Sequence, residues 1–299
     1  TDQDMEANAR LATKTMLDES YEFTDDLERK DYFALFLNAI VGEFDPHTNY
    51  FAPPDRDRFD LRMSGKLEGI GARLQKKSDY ITIVEVISGG PVWRGEHLEV
   101  GDAILKVQQE DEAEAVSVVG MRVDDAVKLI KGPKGTKVTL TVKRVDGSID
   151  QETIERDVVE LEETYAKSTI IERDGKRFGM IHLPAFYFDM KNYEERNAAT
   201  DVALEIQALK QANIEGLVLD LRGNGGGSLR TAVDIAGLFI KEGPVVQVAS
   251  NGAKKEVLKD RDEVIEWDGP LVILMNELSA SASEILAAAM QDYKRAIIL

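Results

Sequence analysis

Val218-Leu219-Asp220-Leu221-Arg222-Gly223-Asn224-Gly225-Gly226-Gly227 reads as a buried strand running straight into a loop almost without side chains. Four of its last five positions are glycine. A turn that needs one positive φ uses one glycine. The run therefore implies a loop whose backbone N–H groups approach a bound carbonyl or anion with no Cβ between them. The competing reading is a sharp turn and nothing more. No Gly-Lys-Ser/Thr follows, which excludes a Walker-type phosphate loop, and the G-x-G-x-x-G spacing of a dinucleotide fingerprint is absent.

The same strand-to-helix alternation extends on both sides. Residues 178–183 read as a strand before a helix near 193–212, and 216–221 as a strand before a helix near 229–239. Residues 245–250 read as a further strand, and 271–275 as a strand before a helix at 282–292. Nearly all-apolar strands alternating with helices predict an α/β unit over residues 158–299, its sheet covered on both faces. Ligands in such sheets sit where strands end and helices begin.

A second turn of that kind is Asn276-Glu277-Leu278-Ser279-Ala280-Ser281-Ala282-Ser283-Glu284. A serine at a helix entrance can expose its hydroxyl beside the N-terminal dipole, which stabilises an oxyanion. It can equally be a plain N-cap, with Glu284 supporting the first turn. Capping needs one serine, and composition does not choose among Ser279, Ser281 and Ser283. A nucleophilic serine needs a base. His47 lies in a proline-rich loop, His97 in a loop of the preceding unit, and His182 inside an apolar strand, where it reads as a satisfied core residue. No Ser-His-Asp pattern emerges. Lys294 and Asp292 are close in sequence but not in space: a helix rising about 1.5 Å per residue sets them roughly 20 and 16 Å from Ser281. The base must come from elsewhere.

Before this unit, residues 65–157 predict short strands separated by glycines, at 70–75, 80–86, 103–107 and 137–144, with one helix at 123–131 closed by Gly132-Pro133-Lys134-Gly135. That describes a small half-open barrel. Its Glu68-Gly69-Ile70-Gly71-Ala72 turn can present N–H groups to a terminal carboxylate while the adjoining edge strand pairs with a peptide; an ordinary tight turn is the alternative. Residues 1–64 are helical in pattern, with Leu11, Met16, Leu17, Phe33, Leu37 and Ile40 at helix spacings. The prolines of 43–54 favour extended chain there.

Composition narrows the function. The 299 residues suggest about two domains with a third small segment. A net charge of −18 argues against nucleic acid as a partner. With no cysteine there are no disulfides and no thiolate zinc sites, and neither a His-x-x-x-His nor an Asp/Asn/Gly loop supports a metal. No apolar run reaches the roughly 20 residues of a membrane span. No signal peptide is visible, so the chain reads as cytosolic or as the mature portion of an exported protein.

Taken together, Asp45-Pro46-His47-Thr48, Leu67-Glu68-Gly69-Ile70-Gly71-Ala72, Ile130-Lys131-Gly132-Pro133-Lys134-Gly135-Thr136, the glycine loop and Ser279-Ala280-Ser281-Ala282-Ser283-Glu284-Ile285 resemble the carboxy-terminal processing (tail-specific) proteases. These are serine peptidases with a Ser-Lys dyad. The resemblance implies a ClpP/crotonase-like α/β core with an inserted PDZ domain and a helical N-terminal segment. It implies Ser281 as nucleophile, and N–H groups of Ala282 and of Gly226 or Gly227 as the oxyanion hole. Asp292 matches an acidic residue implicated in activity, here in an indirect role. Gly69, Ile70, Gly71 and Ala72 would capture the C-terminus of a protein or peptide substrate. No cofactor is implied, and the setting would be the periplasm or cell envelope. The dyad lysine of the family lies in a strand beyond the position of Leu299, so residues 1–299 alone are expected to capture substrate with little or no hydrolysis. The alternatives are a non-catalytic PDZ/crotonase-like binding protein, an acyl-CoA enzyme on the same fold, and a PDZ adaptor.

Overall fold

In the computed structural model, which describes residues 2–299 except Lys191, Asn251, Ala253 and Asp262, three helices form the N-terminal segment. They are α1 (Asp2–Asp25), α2 (Arg29–Gly42) and α3 (Pro53–Ser64). Glu28 opens α2 by donating its N–H to Asp31 Oδ2 at 2.9 Å, as in a capping box. Pro53 and Pro54 do not extend the chain as the sequence suggested. They begin α3, because first-turn N–H groups have no internal acceptor and a proline there loses nothing. Leu11, Met16, Phe33 and Ile40 remain exposed, so their spacing marks helices without marking a core. Charge pairs tie the segment to the next one: Asp26 to Lys76 at 3.0 Å, Asp31 to Arg122 at 2.7 Å and Arg58 to Asp124 at 3.0 Å.

The barrel contains β1 (Lys66–Gly69), β2 (Ala72–Lys77), β3 (Tyr80–Val86), α4 (Pro91–Gly95), β4 (Ala103–Gln109), β5 (Val116–Ser117), α5 (Val123–Ile130), β6 (Lys137–Lys143), β7 (Ile149–Glu155) and β8 (Asp157–Glu160). Its antiparallel sheet runs β2-β3-β4-β6-β7, with β5 added to β4. Alternation along β3 and β6 drives Ile81, Ile83, Val138, Leu140 and Val142 into one core. The strand expected at 70–75 begins later, at Ala72. Gly71 has φ +78°, and a Cβ on it would lie 3.0 Å from Gly90 Cα, so Ile70 and Gly71 form a turn. β2 is an edge strand and α5 packs beside it. β1 and β8 pair with each other, Lys66 opposite Glu160, so the chain enters and leaves the barrel through one ribbon.

The last part comprises β9 (Lys167–Arg173), β10 (Lys176–His182), α6 (Ala198–Gln211), β11 (Gly216–Asp220), α7 (Leu229–Gly237), β12 (Gly243–Val248), β13 (Glu256–Asp260), β14 (Leu271–Leu274), α8 (Ala282–Asp292) and β15 (Ile297–Ile298). The sheet order is β15-β14-β11-β10-β9, parallel except for β9. This is the expected α/β architecture, with the edge strand β9 added and with differences at α6 and β12. α6 begins later than expected, where the Asn197 side chain accepts the N–H groups of Ala199 and Thr200. β12 is not in the main sheet but forms a hairpin with β13. The apolar core gathers Ile181, Leu219 and Ile273 from the central strands with Ile206, Ala232 and Leu286 from the helices.

Candidate active site

β11 and β14 are parallel neighbours, so the loops leaving their C-terminal ends meet. One is the glycine loop, and the other leads into α8. Asn276 Oδ1 accepts the N–H of Gly223 at 2.8 Å across the gap. In return the Asn224 carbonyl accepts the Ala280 N–H at 3.1 Å and the Ser283 hydroxyl at 2.9 Å. The three serines have distinct environments. Ser279 Oγ donates to Leu221 O at 2.8 Å. Ser283 is fully buried on Asn224. Ser281 is exposed at the mouth of α8, at φ 55° and ψ −114°, a left-handed conformation rarely adopted by a side-chain-bearing residue. Its N–H donates to Glu284 Oε2 at 2.7 Å.

Gly226 faces this serine directly. A Cβ there would lie 2.8 Å from Ser281 Cβ, 2.9 Å from Ala280 O and 3.1 Å from Ala282 N, and its φ is +104°. Its own N–H donates to Asn224 Oδ1 at 2.8 Å. Its carbonyl accepts from Phe186 N–H at 2.9 Å, and a trans peptide turns the next N–H, that of Gly227, the opposite way. Among the described residues neither Gly227 N–H nor Ala282 N–H meets a protein acceptor. The latter is a first-turn amide aimed out of the helix.

Asp292 is exposed at the far end of α8. Lys294 lies beyond that end, exposed. His182 is not the core residue expected. It is the last residue of β10, its side chain is 52% exposed, and Nδ1 stands 3.7 Å from Asp220 Oδ2. A strand's end leaves the covered sheet, which apolar neighbours in sequence do not reveal. Arg222 grips Asp220 through Nε and Nη2, each at 2.8 Å, and holds that carboxyl below the usual carboxylate range. His97 Nδ1 meets Glu152 at 3.1 Å within the barrel, and His47 turns back on Asp45 in an exposed loop. None of the histidines is drawn to Ser281 by these contacts. The two asparagines that brace the site were not singled out from the sequence; the only signal was the lone side chain of Asn224 inside a glycine run.

The turn at Gly69, Ile70, Gly71 and Ala72 lies between β1 and β2. Val92 N–H donates to Ile70 O at 3.0 Å and Ile87 N–H to Gly71 O at 2.9 Å. The trans peptides therefore point the N–H groups of Gly71 and Ala72 away from α4 and β3. The Gly132–Gly135 loop is laced to this turn: Lys134 N–H donates to Glu68 Oε2 at 3.0 Å, and Lys134 Nζ meets Asp157 at 2.9 Å. A cleft of about 740 Å³ beside the turn is lined by Glu68 and Lys131, by Asp60 of α3 and by Asp189 and Glu195 of the last part.

Comparison with known proteins finds three family patterns along the chain. The pattern of peptidase family S41 matches residues 177–299, that of the PDZ domain residues 59–143, and that of the tail specific protease N-terminal domain residues 1–54. The chain is 40% identical over 270 residues to the tail-specific protease of Haemophilus influenzae, covering 90% of this chain and 38% of that protein. It is 34% identical over 274 residues to the carboxy-terminal processing protease CtpA of Bacillus subtilis, covering 91% of this chain and 54% of that one. The chain thus spans about half or less of these relatives. Among solved structures, the PDZ domain of a carboxy-terminal protease from Vibrio cholerae in complex with peptide is 48% identical over 32% of this chain and 99% of that chain, with a TM-score of 0.31.

Proposed function

As this chain belongs to peptidase family S41, we propose that it carries the nucleophile, the oxyanion donors and the tail-docking module of a serine endopeptidase that processes proteins from their C-termini. One observation carries the nucleophile. Of the three serines at the α8 entrance, Ser279 and Ser283 donate their hydroxyls to Leu221 O and Asn224 O, while Ser281, the N-cap residue of α8 in a capping box with Glu284, stands exposed against Gly226.

In this reading Ser281 Oγ attacks the scissile carbonyl. Its proton passes to a neutral lysine outside residues 1–299, the partner that the family resemblance implies, and then to the leaving amine as the C–N bond breaks. The acyl ester left on Ser281 is hydrolysed by water. Ala282 N–H and Gly227 N–H hold the oxyanion, each worth about 3 kcal/mol in the transition state. Gly226 contributes close approach rather than its N–H, which Asn224 already holds. Asp292 acts from the far end of α8. The substrate tail adds as a strand to the open edge of β2 beside α5, and its carboxylate meets Gly69, Ile70, Gly71 and Ala72. The segments divide at residues 64/65 and 157/158. The setting is the periplasm or cell envelope. Among the described residues no helix is long and apolar enough to cross a membrane.

Two measurements test this. Ser281→Ala in the full-length protein should lower hydrolysis of a tailed protein substrate by about 10³-fold or more; equal rates would refute Ser281 as the nucleophile, and no hydrolysis by the parent would leave a binding protein without catalysis. The 299-residue chain itself should bind a peptide with a free C-terminus about tenfold or more tighter than the amidated peptide, read by fluorescence anisotropy, because charged acceptors make the stronger hydrogen bonds. Equal affinities would remove the carboxylate turn from the account.

A further inference from the structure

We propose that Asn224 is the positioning residue that fixes the glycine loop against Ser281. The inference rests on the nucleophile reading above and deepens it. Asn224 is fully buried and every polar atom of its side chain is used. Nδ2 donates to Leu183 O just past the end of β10, and Oδ1 accepts from Gly226 N–H, both at 2.8 Å. Its main-chain carbonyl accepts from Ala280 on one side of Ser281 and from the Ser283 hydroxyl on the other. One residue therefore joins the end of β10, the glycine loop and both flanks of the nucleophile.

The consequence is geometric. Holding Gly226 N–H fixes the peptide before Gly226, and Phe186 N–H fixes the peptide after it by binding Gly226 O at 2.9 Å. The Gly227 N–H is left with one direction. The same residue holds Ala280 and Ser283, so the loop and the start of α8, where Ala282 N–H lies, cannot drift apart. A displacement of about 1 Å between catalytic groups costs on the order of 10²-fold in rate. A buried asparagine of purely structural value would instead affect folding.

The test uses the full-length protein and three readouts: turnover of a tailed substrate, affinity for a peptide boronate that forms a tetrahedral adduct on serine, and thermal unfolding. Asn224→Ala should lower kcat about 10²-fold with KM within about twofold, and weaken boronate binding by a similar factor. Ser283→Ala removes one strut at nearly constant volume and keeps the proposal testable if the first variant does not fold. It should lower kcat and boronate affinity together by about 3- to 10-fold. A folded Asn224→Ala with kcat within about threefold of the parent overturns the proposal, as does a Ser283→Ala with unchanged kcat. A kcat loss matched by loss of folded protein, with boronate affinity unaltered, overturns it too. Ser281→Ala is the control: turnover surviving that change locates the fault in the nucleophile reading and not in the brace.

Discussion

Gly226 has no room for a methyl group. Gly226→Ala would place its Cβ 2.8 Å from Ser281 Cβ in a left-handed conformation, φ +104°. It should destabilise the fold by about 1–3 kcal/mol, measured from the denaturant midpoint, and abolish turnover in the full-length protein. A variant with parental stability would show that the loop yields easily. At this scale the site was half legible. A glycine run after a strand and serines before an alanine-rich helix announce themselves, because both are local. The exposure of Ser281 and the contacts of Asn224 are not local: the partners of Asn224 at Leu183 and Ser283 lie 41 and 59 residues away. His182 misled for a related reason, since apolar neighbours describe a strand and not where it ends.

Among the elements, the β1–β8 ribbon with its neighbouring loop has the clearest pH signature. Lys134, with Arg94, stabilises the charged form of Asp157 and holds its pKa down at about 2, against 3.8 unperturbed. A depressed carboxyl stabilises the fold above its unfolded pKa and loses that contribution as pH falls through the folded one. Asp157→Asn should therefore melt below the parent at neutral pH, the gap narrowing below about pH 4 and closing near pH 2. A gap that is constant with pH would assign the effect to something other than charge. Element legibility followed burial. The β-branched run at β3 was read at its observed bounds, whereas β9, largely exposed at the sheet edge, was missed. Residues 245–250 read only as a further strand; the hairpin partner of β12, β13, lies at Glu256–Asp260 and was not read from the sequence.

At the scale of the whole molecule, two apolar cores are distinct. One gathers around Ile81, Ile104 and Leu140 of the barrel, the other around Ile181, Leu219 and Leu286. Among the described residues the third cluster is small: Ile87, Val159 and Leu161 with Leu61 and Leu67. Separate cores joined by so little should unfold separately, so calorimetry of the 299-residue chain should resolve two transitions. Addition of a tail peptide should shift only the barrel's transition upward. A single transition would mean that the cores are coupled. The alternation of strand and helix made the second core legible from sequence. The charge pairs that hold α2 and α3 to the barrel were not, since 31% of the chain is charged and any of those groups could have paired.

Because Lys66 and Glu160 stand opposite one another across the ribbon, the severed ends of residues 67–159 would lie about 5 Å apart. The intervening module is a cassette. It can be excised and the scar sealed with a short hairpin, or a different recognition unit spliced in, without stretching the scaffold that remains.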